Sequence, residues 1–383
     1  MVQAMPDVSP AKWHLAHTTW FFETFVLEPE LDGYRSPWPA YKSLFNSYYE
    51  ALGPRHPRPE RGHLSRPSLS EILAYREHVD ARMKQLLCEP GRAASLIELG
   101  LQHEQQHQEL LVMDVKYNFY RNPLRPAYAS ERLDPCEKSE PLRFRAFDAG
   151  LVQAGASGSA FAFDNERPVH RRFVEPFEIA TRLVTNAEML EFVAAGGYQT
   201  ASLWLSDGWA WVQEHAVEAP LYWSRDADGA VTEFTAHGET LLDPNAPVCH
   251  VSGYEALAFA TWAGARLATE FEWEVMARAL GPVEAPALGR ERLHPRSAHG
   301  AGVTQLFGDV WQWTRSAYEP YPGFKPEAGA VGEYNGKFMS GQWVLRGSSV
   351  ATPHGHSRST YRNFFYPHQR WPFTGIRLAR EVT

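Results

Sequence analysis

The sequence predicts a two-domain protein: an all-α helical bundle over residues 1–122, a linker over 123–141 and an α+β domain over 142–383. Three observations predict it. At 383 residues the chain is too long for one ordinary hydrophobic core and about right for two. Its first third carries apolar residues at helical spacing, interrupted by one proline-rich stretch. Beyond the linker the texture changes to short apolar runs broken by Gly, Pro, Asn and Asp, the pattern of an irregular α+β domain with much loop.

Each element has its own signal. Ser9-Pro10 opens a helix, with Ser9 as N-cap and Pro10 at the first helical position, running over about 11–27. A second helix starts at Ser68 or Ser70, where Leu69, Ile72, Leu73, Val79, Met83 and Leu86 recur near helical spacing. A third spans about 95–120 and stops before Asn122-Pro123. Between the first and second lie seven prolines, Pro29, Pro37, Pro39, Pro54, Pro57, Pro59 and Pro67. A loop that long inside a compact domain usually carries function. In the second domain the clearest helices fall at about 253–263 and 270–279.

Composition narrows the function. Hydrophobic residues are 44% and charged residues 21%, the balance of a soluble globular chain. The net charge of −8 gives no general attraction to nucleic acid or to an anionic membrane, so neither is expected as a partner. No run reaches the roughly 18–20 apolar residues that span a bilayer. The opening residues lack the basic-then-apolar pattern of a secretory signal. Three cysteines, Cys88, Cys136 and Cys249, are too few and too scattered for a disulfide framework or a thiolate zinc site. These features predict a cytoplasmic protein with no obligate protein partner.

The histidines carry the chemistry. His103 and His107 stand four apart on the third helix, so both rings leave one face and can reach one cation. With 16 His in 383 positions, chance alone gives roughly two-thirds of one such pair, so the spacing needs its context. Leu96, Leu99 or Gly100, His103, His107 (with Gln106), Leu110 and Asp114 fall along one stripe, which sets the rings among apolar residues. A buried ring needs either a hydrogen bond within the core or a metal, and spacing alone leaves both open. The first helix offers a third ligand: Trp13, His17, Trp20 or Phe21, and Thr24 share a face, while His14 points about a third of a turn away. Three neutral imidazoles without a thiolate suit iron(II), zinc or copper and leave coordination positions open.

The segments WHLAHTTWFFE at 13–23 and HEQQHQE at 103–109 resemble the DinB-like bundle of the iron-dependent sulfoxide synthases of ergothioneine biosynthesis. The resemblance implies His17, His103 and His107 as ligands of Fe(II). Residues 46–68, NSYYEALGPRHPRPERGHLSRPS, resemble that family's active-site loop. The family's bundle carries a further helix before this point, whereas eight residues precede Ser9 here, so either the start is misassigned, the chain is truncated, or the bundle is short of one helix. The second domain resembles the formylglycine-generating-enzyme-like domain, a C-type-lectin-like α+β fold, in four places. These are VTNAEMLEFVAAGGY, the stretch 247–278, GDVWQWT and the closing segment with VLRGSS, YRNFF and RWPFTGIRLAR. The closing segment, 346–380, has no cysteine, so the cysteine-based protein modification of that domain's founding members is not expected. Gly308, Trp311, Trp313, Gly347 and Arg377 read as fold determinants.

The activity implied is an Fe(II)- and O2-dependent coupling of hercynine, a trimethylated histidine, to a thiol, giving hercynylcysteine sulfoxide. Gln106, beside the ligands, is implied to orient the substrate ring. Asn363, Phe364 and Phe365 occupy positions that contact hercynine in the family; an aromatic face suits a fixed cation that cannot donate a hydrogen bond. Tyr48 and Tyr49 match the tyrosine pair of members that use free cysteine, and Tyr49 is the expected proton donor. Arg58 and Arg61 can clamp the thiol substrate's carboxylate. Members that take γ-glutamylcysteine carry Asn-Trp-Asp and a downstream Arg in the closing motif. Asn363-Phe364-Phe365 with Gln369 and Arg370 stands here instead, so cysteine is the expected sulfur donor. The alternatives are a relative joining a selenosugar to hercynine, a DinB-like metal-dependent thiol transferase, and a lectin-like binding module with a closed structural metal site.

Overall fold

The computed structural model describes residues 2–88, 91–281 and 293–382. They form two compact units. The first comprises residues 1–123 together with 326–337, and the second 124–325 with 338–383.

Among the described residues three long helices build the first unit: α1 (Ala11–Phe22), α2 (Leu69–Leu86) and α3 (Ala94–Arg121). Helix α1 is buried nearly all round, with Trp13, His14, Ala16, His17, Thr18, Thr19, Trp20 and Phe21 inside, as befits a helix walled in by its neighbours. Its cap differs from the expectation. Pro10 takes the N-cap position with no side-chain bond, and Ser9 lies outside the helix. Ser9 is used elsewhere: its N–H donates to Asp114 Oδ2 at 2.7 Å and its hydroxyl accepts from Arg61 Nη1 at 3.0 Å. Beyond Phe22 the helix widens into a π turn, Glu23–Leu27. There the buried Glu23 carboxylate accepts the Tyr34 and Tyr75 phenols at 2.5 and 2.6 Å, which satisfies a charge that would otherwise be costly inside. Helix α2 is capped by Ser68, and Glu71 returns the bond to the Ser68 N–H. It buries Ile72, Tyr75, Val79 and Met83, one face at 3–4-residue spacing, while Leu69 and Leu73 are half exposed. Helix α3 approaches α1 closely at Gly100, where a Cβ would lie 2.6 Å from Phe22 Cε1. That approach, one turn before His103, brings the His103–His107 face of α3 against α1.

The second unit packs small sheets and helices. One four-stranded sheet runs Phe144–Phe147, Phe177–Ala180, Leu378–Glu381, Arg266–Leu267 in spatial order; the other runs Asn363–Phe365, Trp343–Gly347, Trp311–Ala317, Thr374–Gly375. A two-stranded and a three-stranded sheet complete the described strands. Helices Asn186–Ala194, Gly253–Trp262 and Glu270–Leu280 each open on a Ser or Thr cap whose partner Glu stands three residues on. The core joins Phe147, Phe177, Ile179, Trp273, Met276 and Leu306. Gln312 ties it together: its Oε1 accepts from Trp273 Nε1 at 2.8 Å and Arg377 Nε at 2.7 Å, and its Nε2 donates to Leu306 O at 2.9 Å. Gly347 at φ +96° leaves no room for a Cβ, which would meet Leu306 O at 2.6 Å. Among the described residues no helix is long and apolar enough to cross a membrane.

Candidate functional site

His17 from α1 and His103 and His107 from α3 converge. Their ring centroids are 4.6–4.9 Å apart, and one nitrogen of each lies within 4.8 Å of the others. His17 and His103 are almost wholly shielded from solvent, and Trp13 and Trp20 stack on either side of His17 at 4.6 and 5.4 Å. His17 Nδ1 donates to the Phe45 carbonyl at 2.6 Å, so Nε2 is its bare lone pair, and that atom has no hydrogen-bond partner. Neither nitrogen of His103 has one. Burial lowers the basicity of all three rings, holding His103 at about 3 and His17 and His107 well below the ordinary imidazole value. Three neutral imidazoles therefore converge, and His17 Nε2 and both His103 nitrogens are buried without a hydrogen-bond partner. A cation satisfies that arrangement, and the donor set of three nitrogens without thiolate suits a transition metal that keeps open positions.

Two residues missed by the sequence reading join this cluster. His14 lies beside His107, Nδ1 to Nδ1 at 2.9 Å, and reaches Asp114 on its other side. Tyr334, from the segment 326–337, sets its ring 5.6 Å from that of His103 and donates its hydroxyl to Gln106 Oε1. In the same segment Glu333 accepts from the Glu50 and Ala51 N–H groups, and Lys337 donates to Tyr48 O. No spacing rule links residue 334 to a motif at 103–107; only the fold does.

The other expected residues lie as follows. Tyr49 is fully buried against Trp20 and Phe25, and its hydroxyl is 3.4 Å from that of the half-buried Tyr48. Burial, then the neighbouring Tyr48, raises the Tyr49 phenol well above its usual range, so it stays protonated. Arg61 is buried, with its guanidinium 3.4 Å over the Trp13 ring and its Nη atoms on Ser9 and Ser47 hydroxyls. Arg58, by contrast, is exposed. In the second unit Asn363–Phe365 is an edge strand paired with Trp343–Gly347. Strand alternation sends Phe364 to one face, stacked on Tyr318 at 4.1 Å, and Asn363 and Phe365 to the other, so the two Phe do not share a face.

Residues 143–292 and 291–382 match the Sulfatase-modifying factor enzyme 1-like domain. The whole chain is 32% identical over 416 residues to the hercynine oxygenase of Mycolicibacterium thermoresistibile, covering 98% of this chain and 88% of that one. It is 31% identical over 406 residues to the hercynine oxygenase of Mycobacterium tuberculosis, covering 98% and 92%. Ergothioneine biosynthesis protein 1 of Schizosaccharomyces pombe is 28% identical over 231 residues, 57% of this chain and 28% of its own. A DinB-like helical unit followed by a sulfatase-modifying-factor domain, alike end to end with those oxygenases, places this chain in the hercynine oxygenase family of ergothioneine biosynthesis.

Proposed function

We propose that this chain is an iron(II)- and oxygen-dependent sulfoxide synthase that joins hercynine to cysteine. The observation that carries the reading is the convergence of His17, His103 and His107 within a chain similar to hercynine oxygenases over 98% of its length. When bound, iron(II) supplies redox chemistry and open positions where thiol and oxygen can meet. His17, His103 and His107 hold it with lone pairs that burial keeps free of protons. Gln106, whose amide plane is fixed by the Tyr334 hydroxyl, orients the imidazole of the substrate. Arg61 is a shielded cation with no partner at Nε, suited to the carboxylate of the thiol substrate. Tyr49 holds a proton at its phenol oxygen and, with Tyr48 in contact, delivers it during coupling.

Protein loaded with Fe(II) and given hercynine, cysteine and O2 should form the coupled sulfoxide, read by mass spectrometry. Turnover without O2 overturns the oxygenase reading, and product from γ-glutamylcysteine or a selenosugar but not from cysteine overturns the donor. Tyr49→Phe should retain metal while coupled product falls about 100-fold and plain thiol oxidation rises, because a positioned proton donor contributes about that much. Normal coupling by Tyr49→Phe removes Tyr49 as the donor.

A further inference from the structure

The outward nitrogen of His107 has a partner of its own. His107 Nδ1 lies 2.9 Å from His14 Nδ1, and His14 Nε2 lies 2.9 Å from Asp114 Oδ2. His14 and Asp114 are 4% and 3% exposed, so water does not compete for either bond. Asp114 is pinned in turn, since the same Oδ2 accepts the Ser9 N–H at 2.7 Å. The helices account for the placement. His14 stands one turn before His17 on α1, and Asp114 stands two turns after His107 on α3.

Donor and acceptor capacity then dictates where each hydrogen sits. A carboxylate only accepts, so His14 Nε2 carries the hydrogen toward Asp114. An imidazole that gives its one ring hydrogen to the carboxylate presents a lone pair at Nδ1. Two lone pairs cannot face one another at hydrogen-bond distance, so His107 Nδ1 carries the hydrogen between the rings. Its remaining nitrogen, Nε2, is the one left to serve with His17 and His103. His17 reaches the same state by a shorter route, through the Phe45 carbonyl.

We propose that Asp114 and His14 are positioning residues, a carboxylate–imidazole relay that fixes His107 in the Nδ1–H tautomer and so presents Nε2 to the metal. Outer partners of this kind orient a metal-binding ring and raise its basicity as a ligand. The inference rests on the metal-centre reading above, and its test separates the two.

The probe is Co(II), titrated into the purified full chain against a competing chelator and read by its visible absorption. His14→Ala should weaken Co(II) binding 10–100-fold, the usual cost of losing an outer-shell partner. His14→Asn, whose side-chain oxygen stands where Nδ1 stood and can accept from His107, should restore affinity to within a few-fold of wild type. In parallel, nitrogen-15 shifts of labelled histidines in the metal-free wild type should show His107 bearing its hydrogen on Nδ1. Unchanged affinity in His14→Ala overturns the relay, as does equal loss in folded His14→Ala and His14→Asn, which would make His14 a packing residue. A hydrogen on His107 Nε2 overturns it as well, and that measurement decides the matter if the alanine variant does not fold. Wild type that fails to bind Co(II) overturns the metal centre instead, while the nitrogen shifts still report on the relay.

Discussion

If the chain is the proposed iron-dependent synthase, His107→Ala should yield a folded protein that neither retains iron nor couples hercynine to a thiol. Removing one of three nitrogens leaves His17 and His103 as a two-point site. The loss exceeds the roughly 100-fold that accompanies loss of an outer partner alone. The fold should survive the change, because the metal-free cluster brings three histidine nitrogens within 4.8 Å of one another with no cation between them to hold them. Deleting one ring relieves that crowding but leaves the buried His14 Nδ1 without its partner, at a cost of about 1–3 kcal/mol. Two measurements check this. Iron content after gel filtration should fall from stoichiometric to background. A chelator should lower the melting temperature of iron-loaded wild type but not that of the variant, since a ligand that binds only the folded state stabilises it by mass action. Stoichiometric iron in His107→Ala would end the three-histidine reading.

Glu270→Ala will cost about 3–5 kcal/mol, the largest stability loss expected from a single change in the second unit. Glu270 is 2% exposed and holds two buried guanidinium groups, accepting from Arg362 at 2.8 and 3.0 Å and from Arg346 at 2.9 Å. Tyr321 adds a phenol at 3.1 Å. Alanine would leave Arg362 buried without its carboxylate and Arg346 with Glu274 alone, and the cost is chiefly that of the stranded charge. The same network makes the unit acid-sensitive. Burial pushes the Glu270 carboxyl upward, but Arg362 and Arg346 outweigh it and hold the group below the ordinary carboxylate range. A depressed folded value contributes stability that is full above the unfolded value of about 4.3 and is lost as pH falls through the folded one. The urea midpoint of wild type should therefore drop below about pH 4, while that of Glu270→Ala, already low at neutral pH, should drop less there. Equal acid sensitivity in both proteins would place the titrating group elsewhere.

Local signals were legible where one segment decides the outcome. The Ser68 cap with Glu71, the end of α3 before Asn122-Pro123 and the buried tryptophans Trp311 and Trp313 all follow from short-range rules. The i, i+4 spacing of His103 and His107 also survives into three dimensions, because a helix maps spacing onto direction. What stayed hidden depends on how one helix is turned against another. His14 points away from the face of His17, which discouraged a role, yet that direction is what carries it to His107 and Asp114. Ser9 matched a capping pattern but found better partners in Asp114 and Arg61, long-range contacts that no local rule contains. Phe364 and Phe365 were alternatives for one aromatic face, and strand geometry sets them on opposite faces.

The twelve-residue stretch 326–337 has a practical consequence for dissecting the gene. Truncation after residue 123 would not liberate the bundle whole. It would amputate Tyr334 from beside His103 and take away the Glu333 carboxylate that ties down the Glu50–Ala51 backbone. Fragments made by a single cut belong to neither unit cleanly, and reconstituting the amino-terminal half calls for returning that short peptide, in trans or by graft.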